Sequence, residues 1–306
     1  SYLNFDINNS KTNTYLPQEA LSYLWTKDYS NRYTNLDEQS LNIFTDTNLA
    51  WEPKLANEDH KITLYGSFQA STGNSSGQYL PSTANPSSSI TDPSAVSYLL
   101  DPNTGYSKWR SLAYMVRGHY AYKGRYIIDG TYRVDGSTKF GNQHKYGTFP
   151  GFNVKYIISD EPFLDKTNKW LSMLAFRYSW GISGNQPDKE YLYYSRYGAY
   201  GSYDGMNAIR PSSLQLGNLK WETTRSNNFG IDLGLFDDKY VFDINFYKKN
   251  TKDLLFKDYP VPPTSGFTGQ SYKNAGEMNN DGWEVNFYAN RFVKTKDFSM
   301  DFTFNL

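Results

Sequence analysis

Residues 191–205 read YLYYSRYGAYGSYDG and hold six tyrosines: Tyr191, Tyr193, Tyr194, Tyr197, Tyr200 and Tyr203. A phenol ring offers an apolar face beside a polar hydroxyl, which suits stacking on a sugar ring or packing on a flat partner surface. The same rings also serve as loop packing and interfacial anchors. The six are the candidate contacts for cargo or for a partner protein. Catalytic chemistry has no comparable signal. The chain contains no Gly-rich phosphate loop, no His-Glu-x-x-His and no Gly-x-Ser-x-Gly. Its three histidines, His60, His119 and His144, lie far apart in the sequence, a poor basis for a metal site. Cysteine is absent, which removes thiolate ligands and disulfides. Asp135-Gly136 and Asp281-Gly282 pair a carboxylate with a flexible backbone and fit either calcium ligation or a turn. The residues therefore nominate no catalytic group, no cofactor and no metal ion, and point to a protein that binds or transports rather than an enzyme.

The elements that must carry these tyrosines are strands. In 239–248, KYVFDINFYK, the apolar phase holds Tyr240, Phe242, Ile244 and Phe246, and the polar phase Asp243, Asn245 and Tyr247. Residues 283–290 set Trp283, Val285, Phe287 and Ala289 against Glu284, Asn286, Tyr288 and Asn290. Residues 298–306 set Phe298, Met300, Phe302, Phe304 and Leu306 against Ser299, Asp301, Thr303 and Asn305. Period-2 alternation gives each strand one apolar face. The pattern predicts about 11 strands of roughly 9–20 residues, long against the usual ~5–6. Hydrophobic residues are only 38% of the chain and mean hydropathy is -0.70, yet aromatics reach 18% with 28 Tyr, 19 Phe and 7 Trp. Lys+Arg and Asp+Glu balance at 31 each, so nothing points to nucleic acid. No run of apolar residues is long enough for a membrane-spanning helix.

The connections sort by length. Short turns fall near 57–59, 123–124, 237–238 and 294–297, with 161–168 intermediate; long connections fall at about 73–106, 136–149, 184–217 and 253–271. The two kinds alternate along the chain. An up-and-down sheet then carries short turns at one end and long loops at the other, as a bacterial outer-membrane barrel does. The apolar faces need no second protein layer if lipid covers them, and the aromatic residues fit girdles at the membrane interfaces. On this reading Phe242, Ile244, Val285, Phe287, Phe302 and Phe304 face lipid, and Asp129, Arg133, Arg177, Asp243 and Glu284 face a lumen. Residues 17–29, PQEALSYLWTKDY, form the one helical candidate, opening on Pro17. The 73–93 stretch, GNSSGQYLPSTANPSSSITDP, reads as a surface loop. Both ends of the chain alternate like strands, which suggests a segment of a longer protein.

YRVDGSTKFG (132–141) followed by FPGFNVKYIISDEPF (149–163) resembles a stretch of the SusC/RagA-type TonB-dependent outer-membrane transporters, with Gly151 where that family usually has Ser. LAFRYSWGISGNQ (174–186), LKWETTRSNNFGIDLGLFDDKYVFDINFYKKNTKDLLF (219–256) and NAGEMNNDGWEVNF (274–287) are similar to further framework motifs of the same family. The resemblance is close over about 120–306 and one of style over 1–110. It implies an all-β, antiparallel up-and-down transmembrane β-barrel of about 22 strands, of which this chain supplies about 11. Residues 1–306 are then part of the barrel domain, with the plug domain and remaining strands outside this chain. It makes 272–291 one long strand with a kink or bulge. It implies an importer in the outer membrane of a Gram-negative, Bacteroidota-like bacterium. The partners implied are a SusD-like surface lipoprotein, TonB acting through a plug, outer-membrane lipids, and an oligosaccharide or peptide cargo.

Two rival readings stay open on the sequence. A soluble all-β glycan-binding or glycan-cleaving protein would bury its apolar faces between two sheets. A SusC-like barrel serving protein secretion or surface assembly would keep the framework and change the cargo.

Overall fold

The structure is a computed structural model that describes residues 1–17, 31–83, 89, 98–99, 102–167, 169–267 and 269–306. The helical candidate at 17–29, apart from Pro17, and most of the Ser/Pro-rich stretch at 84–97 lie outside the described residues. No helix among the described residues is long and apolar enough to cross a membrane.

Sixteen strands are described: β1 (Tyr2–Leu16), β2 (Arg32–Trp51), β3 (His60–Thr83), β4 (Tyr98–Leu99), β5 (Asn103–Tyr122), β6 (Tyr126–Ser137), β7 (Tyr146–Ile157), β8 (Leu171–Asn185), β9 (Tyr197–Tyr203), β10 (Met206–Pro211), β11 (Glu222–Leu235), β12 (Tyr240–Lys252), β13 (Leu255–Tyr259), β14 (Gln270–Asn274), β15 (Glu277–Lys294) and β16 (Ser299–Asn305). Eleven of them follow one another in a single sheet, β1-β2-β3-β5-β6-β7-β8-β11-β12-β15-β16, with β4 paired onto β3. Neighbouring strands pair antiparallel, as between β6 and β7 and between β12 and β15. The chain thus folds as the all-β, up-and-down antiparallel sheet that the alternation predicts. Two small hairpins, β9–β10 and β13–β14, stand apart from it.

The chain forms two compact units, residues 1–46 with 69–111 and residues 47–68 with 112–306. In the first, β1 and β2 pair without a slip from Tyr2↔Asp46 to Leu16↔Arg32. Leu3, Phe5 and Ile7 oppose Thr45, Ile43 and Leu41, but further on Asn9 opposes Gln39, Lys11 opposes Asp37 and Asn13 opposes Asn35. The strands therefore run well past their apolar stretch. β3 does the same, reaching Thr83. Half of the expected surface loop at 73–93 is strand, and Tyr79 and Tyr106, read as loop residues, sit in β3 and β5. A strand extension without an alternating apolar phase, rich in Ser, Asn and Gly, reads like a loop.

In the second unit the register stacks side chains into rows. On one face, Ile128 opposes Val154, which opposes Tyr178, then Phe229, Phe246 and Trp283. The neighbouring row runs Tyr126, Tyr156, Phe176, Ile231, Ile244 and Val285. A third joins Leu174, Leu233, Phe242, Phe287 and Phe304. Neighbouring rings touch, with centroids 4.6 Å apart for Phe242 and Phe287 and 4.8 Å for Phe246 and Trp283. Trp283 remains 67% exposed and Phe304 48%, so the apolar face lies open.

The opposite face is polar. Arg177 Nη2 sits 2.6 Å from both Asp232 Oδ1 and Asp243 Oδ1; Lys155 Nζ lies 3.3 Å from Asp232 Oδ2, and Asn245 donates to Asp243 at 2.8 Å. Gly230 lets this network form: a Cβ there would stand 2.8 Å from Asn245 Oδ1 and 2.9 Å from the Arg177 guanidinium carbon. Asp129 accepts from Arg117 and pairs with His119 Nδ1, each at 2.9 Å.

The sorting of connections holds by end rather than by strict length. The turns at 123–125, 236–239 and 295–298 alternate with the long connections, but the loop at 138–145 is shorter than the connection at 158–170 on the opposite end. The latter folds into two short 3-10 turns and is pinned at Glu161, which accepts from Arg125 at 3.0 Å, from Tyr156 at 3.3 Å and from Tyr126. The expected single strand over 272–291 is two: β14 ends at Asn274, Gly276 takes φ +78°, and β15 begins at Glu277. Asp281-Gly282 makes no turn and lies inside β15, opposite Lys248 and Tyr247. The irregularity in β15 falls later, between Ala289 and Val293, where Arg291 takes φ +50° and its N–H donates to Asp301 at 2.6 Å.

Candidate functional site

Three connections at the long-loop end of the second unit, 138–145, 186–221 and 253–276, pack around a small core of their own. Phe140 and Tyr272 are fully buried there beside Leu192, Leu216 and Leu219, with Leu214, Trp221 and Leu255 at the margin. The framework motifs explain part of this core. Phe140 from the first motif lies 4.7 Å, ring to ring, from Trp221, which in turn lies 5.5 Å from Phe149. The isolated leucines of SSLQLGNLKW (212–221) are a signal that sequence reading passed over: scattered Leu in a Gly/Asn loop has to bury itself somewhere.

Asp188 ties the loops together at the edge of that core. It pairs with Lys257 Nζ at 2.6 Å, accepts from the Tyr272 hydroxyl, and its carbonyl accepts from Lys139 Nζ at 3.0 Å. The hydrogen bonds from Lys257 and Tyr272 hold its carboxyl down at about 2. Burial, then the bond to Asp188, pushes the Tyr272 phenol up. The hairpin β13–β14 is thereby held against the loop that bears the tyrosines.

Beside this clamp lies a cleft of about 540 Å³, lined by Gln215, Leu216, Gly217, Asn218, Leu219, Lys220, Asp253, Gln270, Lys273 and Asn274. Asn274 is committed, accepting from the Lys220 N–H at 2.7 Å and donating to the carbonyls of Lys220 and Asp253. Lys273 Nζ sits 4.1 Å over the Tyr259 ring. Amides, backbone and ammonium groups make a lining for a hydrogen-bonding guest.

The structure divides the six tyrosines. Tyr191 takes φ +60° as the chain turns Leu192 into the core. Tyr193 and Tyr194 pack against each other with ring centroids 4.2 Å apart, and the hydrogen bond with Tyr194, then burial, pushes the Tyr193 hydroxyl up to about 12. Tyr197, Tyr200 and Tyr203 belong to β9. Tyr197 and Tyr200 are 63% and 58% exposed, and Arg210 lies 4.0 Å over the Tyr200 ring. The β9–β10 register shifts next to Tyr200, with Gly201 at φ +64°. The cluster is thus a packed base (191–194) and an exposed hairpin (197–211), rather than one platform.

The six residues expected at lipid share one face of β12, β15 and β16: Phe242 opposes Phe287, Ile244 opposes Val285, and Phe304 and Phe302 oppose Phe287 and Ala289. No group of three or more His, Cys, Asp or Glu able to hold a metal is found among the described residues.

Long antiparallel strands, one continuous apolar face, one charged face and a cluster of packed loops at one end define the wall of an outer-membrane β-barrel of the transporter type. A family model described as TonB dependent receptor-like, beta-barrel matches residues 1–306, and the chain belongs to that family. The family is one of the outer membrane of Gram-negative bacteria. The chain is 33% identical over 165 residues to TonB-dependent receptor P39 of Formosa agariphila, and 33% identical over 169 residues to TonB-dependent receptor SusC of Bacteroides thetaiotaomicron. These alignments cover 52% and 53% of this chain but only 16% of each relative. A solved structure of the RagAB peptide transporter superposes with a TM-score of 0.86 at 21% identity, over 99% of this chain and 33% of that one. The SusC/RagA-type assignment made from the motifs therefore holds.

Proposed function

We propose that this chain is the wall and outer-loop portion of a SusC-like importer that takes up oligosaccharides or peptides across the outer membrane. The observation that carries the reading is the loop body at the long-connection end, where a polar cleft and an exposed Tyr/Arg hairpin are held in place by a buried core and the Asp188 clamp. A loop that only linked strands would need neither. In this reading the loops and a SusD-like surface lipoprotein capture cargo, and TonB, pulling on a plug domain, opens the path past the charged face of the wall. Residues 1–306 are then part of one barrel domain whose plug and remaining strands belong to the same importer. The apolar face, including Phe242, Ile244, Val285, Phe287, Phe302 and Phe304, meets hydrocarbon, and Tyr193, Tyr194, Tyr197 and Tyr200 serve cargo or lipoprotein contact. The RagAB peptide transporter, alike in fold, supports the peptide class, and the oligosaccharide class comes with the resemblance of the framework motifs.

The test removes the hairpin 197–211 from the full-length protein and measures uptake of labelled oligosaccharides and peptides by intact cells. Normal barrel assembly with lost uptake or lost lipoprotein co-purification is expected. Unchanged uptake of every cargo class, with the lipoprotein still bound, would remove the loop body from the transport function.

A further inference from the structure

Just past the aromatic row Phe229, Phe246 and Trp283, on the same face, the sheet changes character. On β11 the phase continues through Asn227 to Arg225; on β12 it continues through Lys248 to Asn250. Asn227 opposes Lys248 and Arg225 opposes Asn250, so Arg225 and Lys248 are diagonal neighbours on one surface, with Cβ atoms within about 7–8 Å. Both cations are exposed, and among the described residues neither makes an ion pair within 4 Å. Their surroundings are ordered. Tyr178 donates its hydroxyl to Asn227 Oδ1 at 3.1 Å, which leaves the Asn227 amide N–H₂ to point elsewhere. Asn250 is committed to Asn279 at 2.7 Å and to Glu277, and Glu277 also receives Lys252 at 3.9 Å. The remaining acid, Asp281, sits opposite Lys248.

We infer that Arg225, Lys248 and the Asn227 amide form a site for the phosphate group of an anionic lipid in the leaflet next to the long loops. Three features select this occupant. The groups stand on the apolar face rather than the charged one, so a lipid is what they meet if that face meets the bilayer. They sit directly beyond the aromatic row, where rings mark the level of the headgroups. They offer a fork-shaped guanidinium, an ammonium and an amide donor on one patch, the set that suits phosphate oxygens. On β8 the opposing residues are Ile182 and Trp180, which give an acyl chain a wall beside the charges.

The inference rests on the barrel reading, so the test must separate the two. The full-length protein would be reconstituted into phosphatidylethanolamine bilayers containing diphosphorylated lipid A, or the same glycolipid with its phosphates removed. Retained glycolipid per barrel would be measured by native mass spectrometry after gentle detergent release. The wild type should retain the phosphorylated form and not the other. Arg225→Gln/Lys248→Gln should lose retention by about tenfold or more, as two headgroup-level cations are removed. Asp281→Asn should retain at least as much as the wild type, because it removes the one carboxylate facing Lys248. Equal retention by wild type and the double variant, or equal retention of phosphorylated and dephosphorylated lipid, overturns the site while leaving the barrel standing. Inorganic phosphate that competes the lipid away at millimolar concentration would mark the patch as a free-anion site and also overturn it. Failure of the wild type to insert into the bilayer at all would sink the barrel reading instead.

Discussion

At the scale of single residues, the charged face depends on an absence. Arg177 reaches both Asp232 and Asp243 only because Gly230 presents no side chain to its guanidinium. Gly230→Ala should push Arg177 off one carboxylate and leave a partly desolvated charge without its partner, a loss of about 1–3 kcal/mol. Urea unfolding of the full-length protein in lipid, followed by heat-modifiable gel mobility, measures it; an unchanged midpoint would mean that Arg177 has another stable position. Asp188 gives a second residue-scale prediction. Its folded value of about 2 lies below the ordinary 3.8, so its contribution to loop docking is complete above about pH 4 and fades as pH falls toward about 2. Amide exchange in β13–β14 should quicken across that window, beyond the intrinsic pH trend, in the wild type and not in Asp188→Asn. Because Asp188 and Lys257 are both more than half exposed, the effect should also shrink with salt. Neither residue was legible as special in the sequence: Gly230 sits in an ordinary strand phase, and Asp188 meets Lys257 and Tyr272 only through the fold.

At the scale of elements, the alternating strands carry a depth-dependent prediction. Phe287 lies mid-row, between Phe242 and Phe304. Phe287→Arg should destabilise the barrel by about 2–4 kcal/mol if that row lies near the bilayer midplane, and less if it lies near an interface. A folding titration in lipid vesicles reads the difference, and no change would argue against lipid on this face. The sorted connections give the sidedness. Short tags inserted at Asp237 and at Asp204 should differ in reach: impermeant reagents on intact cells should label Asp204, in the turn of the β9–β10 hairpin, and miss Asp237. Labelling of Asp237 alone would invert the assignment. Strand phase and turn position were readable because each is a local property, fixed by which side chains share a face. The extent of β3 and the break at Gly276 were not. Past the apolar stretch a strand has no alternating phase to read, and the pairing that keeps 73–83 extended belongs to neighbouring strands far away in the sequence.

At the scale of the molecule, the edges matter. Among the described residues β1 pairs only with β2 and β16 only with β15, so each presents a row of backbone N–H and C=O groups along its free side. Hydrocarbon cannot satisfy such groups, and a sheet in a membrane has to close on itself. Residues 1–306 expressed alone should fail to give a heat-modifiable, protease-resistant barrel in vesicles, whereas the longer protein should. A resistant, folded species from residues 1–306 alone would show that they close without further strands.

By itself, the sequence determined the class of fold, the two faces, the end at which each connection lies and the family, because these depend on a period of two and on motifs read in line. The tertiary structure decided what brings distant residues together. It buried Phe140, Leu192 and Tyr272 in one loop core, joined Asp188 to Lys257, split the tyrosine cluster into a packed base and an exposed hairpin, and set Arg225 beside Lys248. The physical reason is register. A shift of one residue between two strands would leave each strand's own alternation intact and change every one of these cross-strand neighbours.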